Sequence, residues 1–254
     1  MLNDKIQHPF RWAINSSVRL GRNVSHGYAR GWGLQFSDLR ELVRQDPLYQ
    51  EATSLALGRT VVQDDNRMNI FLIMKYFIPD VPFGHIVEFG SYKGGQAIFM
   101  SYVAKTLFPG VKVYGFDTFQ GMPATNSSID LHNAGNFSDV DLDELRVFCR
   151  EHELDNVEFV QGLFEDTAPA LMQAIKSVSL VHIDCDIKSA CTFSYDAVKS
   201  HMVNGGYYVF DDATVSSCLG ATEAVEEILI QRDHLFCEQI FPHFVFRHNL
   251  NNHK

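Results

Sequence analysis

Four aspartates in two short runs carry the most chemical information in this sequence. Asp184 and Asp186 stand in His182-Ile183-Asp184-Cys185-Asp186, and Asp211-Asp212 close the run Tyr207-Tyr208-Val209-Phe210-Asp211-Asp212. Carboxylates gathered at one place repel one another unless a cation or a proton intervenes, and all-oxygen ligation selects hard ions. Asp184, Asp211 and Asp212 are therefore expected to hold magnesium or another hard divalent cation; the plainer alternative is that one or two of them cap helices starting near 189 and 219. A hydroxyl acceptor beside such an ion needs its proton removed. His132, in Asp130-Leu131-His132-Asn133, and Asp186 are the candidate bases, with Asp184 beside them in the catalytic set. An ordinary loop histidine is the competing reading of His132.

A second constellation is the run Val87-Glu88-Phe89-Gly90-Ser91-Tyr92-Lys93-Gly94-Gly95, a strand pattern entering a glycine-rich turn and then a helix. Glycines there let the backbone approach a ligand, and the helix start offers free N–H groups. A dinucleotide site would use G-x-G-x-x-G. Here the order is G-x-x-x-G-G with Glu88 two residues ahead, a carboxylate that repels pyrophosphate but suits the cationic amino acid end of S-adenosylmethionine. Asp117, in Phe116-Asp117-Thr118-Phe119, ends the next strand pattern, where a carboxylate can accept both hydroxyls of an adenosine ribose. The expected cofactor contacts are thus Glu88, Gly90, Ser91, Lys93, Gly94, Gly95, Asp117, Thr118 and Phe119, with Gln161 and Gly162 placed by position alone near the adenine.

These groups need a scaffold that brings strand ends together. From residue 81 onward, short apolar runs alternate with amphipathic stretches of helical length, the pattern of a parallel sheet covered by helices. Strands are predicted at Ile86 to Gly90, Lys112 to Asp117, Val157 to Gly162, Val178 to Asp184 and Tyr207 to Asp212, and helices at about 94–107, 139–153, 166–177, 189–203 and 219–232. In a doubly wound sheet the fourth and fifth strands pair directly, about 4.8 Å apart, so their acidic ends share one crevice. Leu235 to Phe241 and His243 to Arg247 predict a closing antiparallel hairpin. Residues 1–80 read as a helical extension, a lid or else a packing or dimerisation arm, with helices near 37–57 and, after a cap at Asp64 or Asp65, near 66–78. Residues 81–254 read as a Rossmann-like α/β domain.

Bulk properties narrow the function. With 254 residues and 46% hydrophobic content, the chain can bury one large core. A net charge of -10, without a Lys/Arg cluster, argues against nucleic acid. No stretch approaches the ~18 to 20 apolar residues that span a bilayer, and no leader pattern opens the chain, so a cytoplasmic protein without a membrane partner is expected. Cys149, Cys185, Cys191, Cys218 and Cys237 lack C-x-x-C spacing and read as free thiols. Trp12, Trp32 and Phe36 could serve a homo-oligomer contact or simply pack inside.

Together these segments resemble the macrocin O-methyltransferase (TylF/MycF-like) family. The resemblance covers roughly residues 80 to 232 and rests on Val87-Glu88-Phe89-Gly90 with Gly94-Gly95, Phe116-Asp117-Thr118-Phe119-Gln120-Gly121-Met122-Pro123, Ile183-Asp184-Cys185-Asp186, and Gly205-Gly206-Tyr207 leading to Asp211-Asp212. It implies the class I methyltransferase fold, S-adenosylmethionine and magnesium as cofactors, and a deoxysugar hydroxyl of a natural product as acceptor. It also implies cofactor contacts at Glu88, Gly90 and Asp117, metal ligands at Asp184, Asp211 and Asp212, and a catalytic histidine candidate at His132. The chain departs from the family pattern at Tyr92-Lys93, at Ile187 to Ala190 and at Ala213. Lys188 ranks below His132 as a base and reads as a helix-start surface lysine. Two rival readings remain, a non-catalytic S-adenosylmethionine-binding module and an NAD-dependent oxidoreductase; the acidic cluster opposes the first and the missing G-x-G-x-x-G the second.

Overall fold

The computed structural model describes residues 38–249. Trp12, Trp32 and Phe36 lie outside the described residues. Seven strands form one sheet: β1 (His85–Phe89), β2 (Val113–Asp117), β3 (Val157–Gln161), β4 (Val178–Ile183), β5 (Met202–Phe210), β6 (Cys237–Gln239) and β7 (Phe244–Arg247). Their order is β3-β2-β1-β4-β5-β7-β6. The first five are parallel, and β7 pairs antiparallel with both β5 and β6, as the closing hairpin requires. This is a doubly wound sheet, as expected, in which the chain reverses direction of travel between β1 and β4 and leaves a crevice at their carboxyl ends.

Alternation along the strands divides the core. Ile86, Leu180, Tyr207 and Val209 face one side, with helices α2 (Pro47–Ala56), α3 (Asp64–Tyr76) and α4 (Gly95–Leu107). Val87, Phe89, Val181, Ile183, Tyr208 and Phe210 face the other, under α6 (Phe164–Ile175), α7 (Lys188–Lys199) and α8 (Leu219–Ala224). Helix α5 (Leu142–Glu151) joins the first side through Leu142, Leu145 and Cys149. Of the residues before 81, the described ones therefore pack into the same core as the sheet. Ile70, Phe71, Leu72, Ile73 and Met74 of α3 are fully buried, each contributing about 2 kcal/mol over an exposed position.

Several boundaries differ from expectation for local reasons. The single helix expected at 37–57 is divided into α1 (Asp38–Arg44) and α2, because Pro47 cannot continue a helix and Asp46 instead caps α2 by accepting from the Leu48 N–H at 3.0 Å. Neither Asp64 nor Asp65 is the cap of α3. Gln63 takes that position without a side-chain bond, and Asp64 is drawn instead to Tyr49, Arg40 and Arg44. Helix α7 ends at Lys199 rather than near 203, since β5 begins at Met202. Helix α8 runs on into a π-helical segment, Val225–Arg232. The cysteines are all free, four buried and Cys237 half-buried. Among the described residues, no helix is long and apolar enough to cross a membrane.

Candidate active site

The site grows from one face of three adjacent strands. Glu88 on β1 lies in register with His182 on β4, and both are fully buried. His182 is in turn opposite Val209 on β5, so Asp211, two residues on, projects from the same face one step nearer the strand end. On the far side of β5 the antiparallel register Phe210 to Phe244 brings His243 beside Asp211.

Asp184, Asp211 and Asp212 each offer an oxygen within 4.8 Å of the others. Burial and the repulsion of neighbouring carboxylates push Asp184 and Asp212 well above the usual carboxylate range. Asp211 goes the other way: burial opposes its charge, but hydrogen bonds from His182 and His243 outweigh it and hold it well below that range. Its Oδ1 receives Asn66 Nδ2 at 3.0 Å, His182 Nε2 at 3.3 Å and His243 Nε2 at 2.7 Å, leaving Oδ2 without any of these donors. Oxygen-only donors that repel one another this strongly suit a hard divalent cation.

The hydrogen bonds around Asp211 fix the state of each partner. Gln239 gives its amide NH₂ to the Phe241 carbonyl at 2.7 Å and to Asn69 Oδ1 at 2.9 Å. Asn69 must then present Nδ2 to His243 Nδ1, 3.0 Å away. His243 is left as the neutral tautomer with its proton on Nε2, donating to Asp211, in keeping with burial lowering its pKa. His182 differs: its Nδ1 meets Glu88 Oε1 at 3.0 Å while Nε2 meets Asp211. Burial disfavours the imidazolium, yet the two carboxylates raise its pKa to about 10, and it donates at both ends.

One cleft takes in the trio together with Gly90, Tyr92, Asp117, Thr118 and Asp186. Asp117 is held by the backbone N–H groups of Tyr92 and Phe119, both at 2.8 Å, which fixes the carboxylate at the cleft rim with lone pairs to spare. Gly90 has φ +90°, and a Cβ there would stand 1.7 Å from the Asp184 carbonyl oxygen. Glycine alone lets the β1 loop lie against the end of β4.

Other residues expected at the cofactor do not line this cleft. Glu88 lies beneath it, with Oε2 accepting from Ser91 Oγ at 2.8 Å and Oε1 facing His182. Lys93 turns outward to Asp139. A Cβ on Gly94 would press on Leu145 and Phe159, and one on Gly95 on the backbone of Arg59, so both positions require the close packing that glycine allows. Phe119 is buried against Phe159, and Gln161 reaches the Thr118 carbonyl at 3.4 Å. Gly162 donates its N–H to the Asp117 carbonyl at 3.0 Å.

His132 Nε2 lies 3.3 Å from Asp186 Oδ1, so the two candidate bases form a pair. Asp130 secures the loop that carries His132: it is buried, and its Oδ1 accepts the Lys188 N–H at 3.2 Å. Lys188 itself pairs with Glu223 and Glu227, away from the carboxylate trio.

Sequence reasoning passed over His182, His243, Asn66 and Asn69. A histidine and a glutamate inside otherwise apolar strands were the available signal, because a buried polar side chain demands a partner. Nothing local pointed to Asn66 or Asn69.

Residues 55–232 match the model of the family described as macrocin-O-methyltransferase (TylF). The 8-demethyl-8-(2,3-dimethoxy-alpha-L-rhamnosyl)-tetracenomycin-C 4'-O-methyltransferase of Streptomyces olivaceus is 27% identical over 148 residues, covering 54% of this chain and 56% of that protein. The chain thus spans about half the length of this curated relative. Two solved structures share the fold: the calicheamicin methyltransferase CalS11, with TM-score 0.62, 20% identity and coverage of 83% of this chain and 96% of that one, and the O-methyltransferase NovP, with TM-score 0.64, 22% identity and coverage of 79% and 88%.

Proposed function

The chain belongs to the macrocin O-methyltransferase (TylF) family, and from that premise we propose that it methylates a hydroxyl of a small natural-product glycoside, using S-adenosylmethionine and a hard divalent cation, magnesium in the first instance. One observation carries this reading: Asp117 and the trio Asp184, Asp211 and Asp212 open onto a single cleft, so that an adenosine-binding carboxylate and a cation-binding cluster face the same space. The sugar class of acceptor is supported by the S. olivaceus relative, whose name gives a rhamnosyl compound as its substrate.

When bound, S-adenosylmethionine supplies an electrophilic methyl group and the cation lowers the pKa of a hydroxyl that it ligates. Asp117 would accept from the ribose hydroxyls, and Gly90 would let the backbone pass close to the cofactor. Asp184, Asp211 and Asp212 would hold the cation at the cleft ends of strands β4 and β5. The pair His132 and Asp186, 3.3 Å apart, would receive the acceptor's proton. Met122, Pro123, Phe137 and Val215 line the rest of the cleft and would shield the reacting atoms from water.

Calorimetric titration with S-adenosylhomocysteine and with NAD, each in magnesium and in EDTA, tests the proposal. Binding of the first alone, with a separate magnesium heat lost in Asp211→Asn, is the expected result. NAD binding, or full methyl transfer in EDTA, would overturn the cofactor or the metal assignment respectively.

A further inference from the structure

Beside the oxygen trio stands a second triangle of different chemistry. His132 Nε2, Asp186 Oδ1 and Cys218 Sγ come from the loop after β2, the turn after β4 and the residue preceding α8. The nitrogen and the carboxylate oxygen are 3.3 Å apart, the sulfur and the oxygen 3.3 Å, and the sulfur and the nitrogen 3.7 Å. A tetrahedral zinc ion with the usual bond lengths to nitrogen, oxygen and sulfur separates its ligands by about 3.3–3.7 Å. The three atoms thus already stand at the corners of one face of such a site. Cys218 is buried, while His132 and Asp186 retain 25% and 17% exposure of their side chains and Asp186 lines the cleft, so the triangle is reached from the side of these two residues.

We propose that His132, Asp186 and Cys218 form a second cation site, selective for a borderline-soft divalent ion such as zinc and distinct from the hard-ion trio. Ligand type separates the two sites. A thiolate and an imidazole favour zinc and disfavour magnesium, whereas three carboxylates suit magnesium. On binding, Cys218 loses its Sγ proton to solvent and with it the hydrogen bond to Asp186, His132 enters as the neutral imidazole, Asp186 as the carboxylate, and the three new bonds replace water ligands that the ion releases. A consequence, which rests on the methyltransferase reading, is inhibition: an ion on this triangle occupies the lone pairs of both groups assigned to receive the acceptor's proton.

Cobalt(II) titration of the full chain with magnesium in excess is the decisive experiment, because a cobalt–thiolate bond gives a near-ultraviolet charge-transfer absorption that oxygen ligands do not. The wild-type protein should develop this absorption, zinc should abolish it, and Cys218→Ser should lack it while keeping a native circular dichroism spectrum; Cys218→Ala serves the same purpose if the serine variant does not fold. No absorption in the wild type at saturating cobalt, or an unchanged absorption in the Cys218 variants, overturns the site. Zinc inhibition, scored as a ratio to each protein's own zinc-free rate, should disappear in Cys218→Ser, and inhibition that persists there overturns the consequence. If the absorption behaves as expected but no methyl transfer is found with any acceptor, the site stands and the reading of the enzyme falls.

Discussion

His243 Nε2 donates to Asp211 Oδ1 at 2.7 Å, the shortest of the three bonds to that oxygen. The C-terminal hairpin thereby holds a carboxylate at the end of the fifth strand. Partners of this kind fix the orientation of a metal ligand, and their loss typically costs 10- to 100-fold in metal affinity. His243→Ala should accordingly weaken magnesium binding by about 10-fold or more, read by calorimetry, with a stability loss of about 1–3 kcal/mol for the buried carboxylate and amide left short of partners. Unchanged magnesium affinity in a folded variant would separate His243 from the site.

Gly90→Ala should be among the most damaging single substitutions. The added methyl would meet the Asp184 carbonyl at 1.7 Å on a backbone of φ +90°, so overpacking and conformational strain combine to cost roughly 2–5 kcal/mol. Denaturant unfolding gives the stability change. Because relief of the clash must move the Asp184 turn, magnesium affinity should fall with it.

His132→Ala should lower kcat by about 100-fold or more if His132 accepts the proton, while leaving magnesium affinity near that of the wild type, since His132 contacts Asp186 rather than the trio. Wild-type turnover would leave Asp186 as the sole base.

Asp233 tests the acid limb of stability away from the site. Burial raises its pKa, but hydrogen bonds from Arg232, Lys199 and Tyr195 prevail and hold it well below the usual range. A depressed folded-state pKa gives stability that is present above the unfolded value, about 3.9, and lost as pH falls through the folded value. Asp233→Asn should therefore cost about 1.5–3 kcal/mol at pH 7 and progressively less as pH falls below about 4. An equal loss at both ends of that range would contradict the ionic reading.

The sequence alone determined the scaffold and the kinds of chemical group at its edge. Strand runs at 86–90, 112–117 and 178–184 were legible because short, largely apolar runs of strand length are a local property, and the acidic residues at their ends needed only a count along the chain. Helix α3 was legible as a helix, but not that its Asn66 would reach Asp211, since that bond spans 145 positions. Gly94 and Gly95 were legible as glycines of a turn, but their close packing on Leu145, Phe159 and Arg59 depends on distant parts of the chain. Glu88 was legible as a carboxylate near a strand end, but its pairing with His182 comes from the register of β1 with β4. Only the tertiary structure could decide which polar groups face the cleft and which satisfy one another beneath it, because a buried hydrogen-bond partner is chosen by proximity in space and leaves no fixed spacing in the chain.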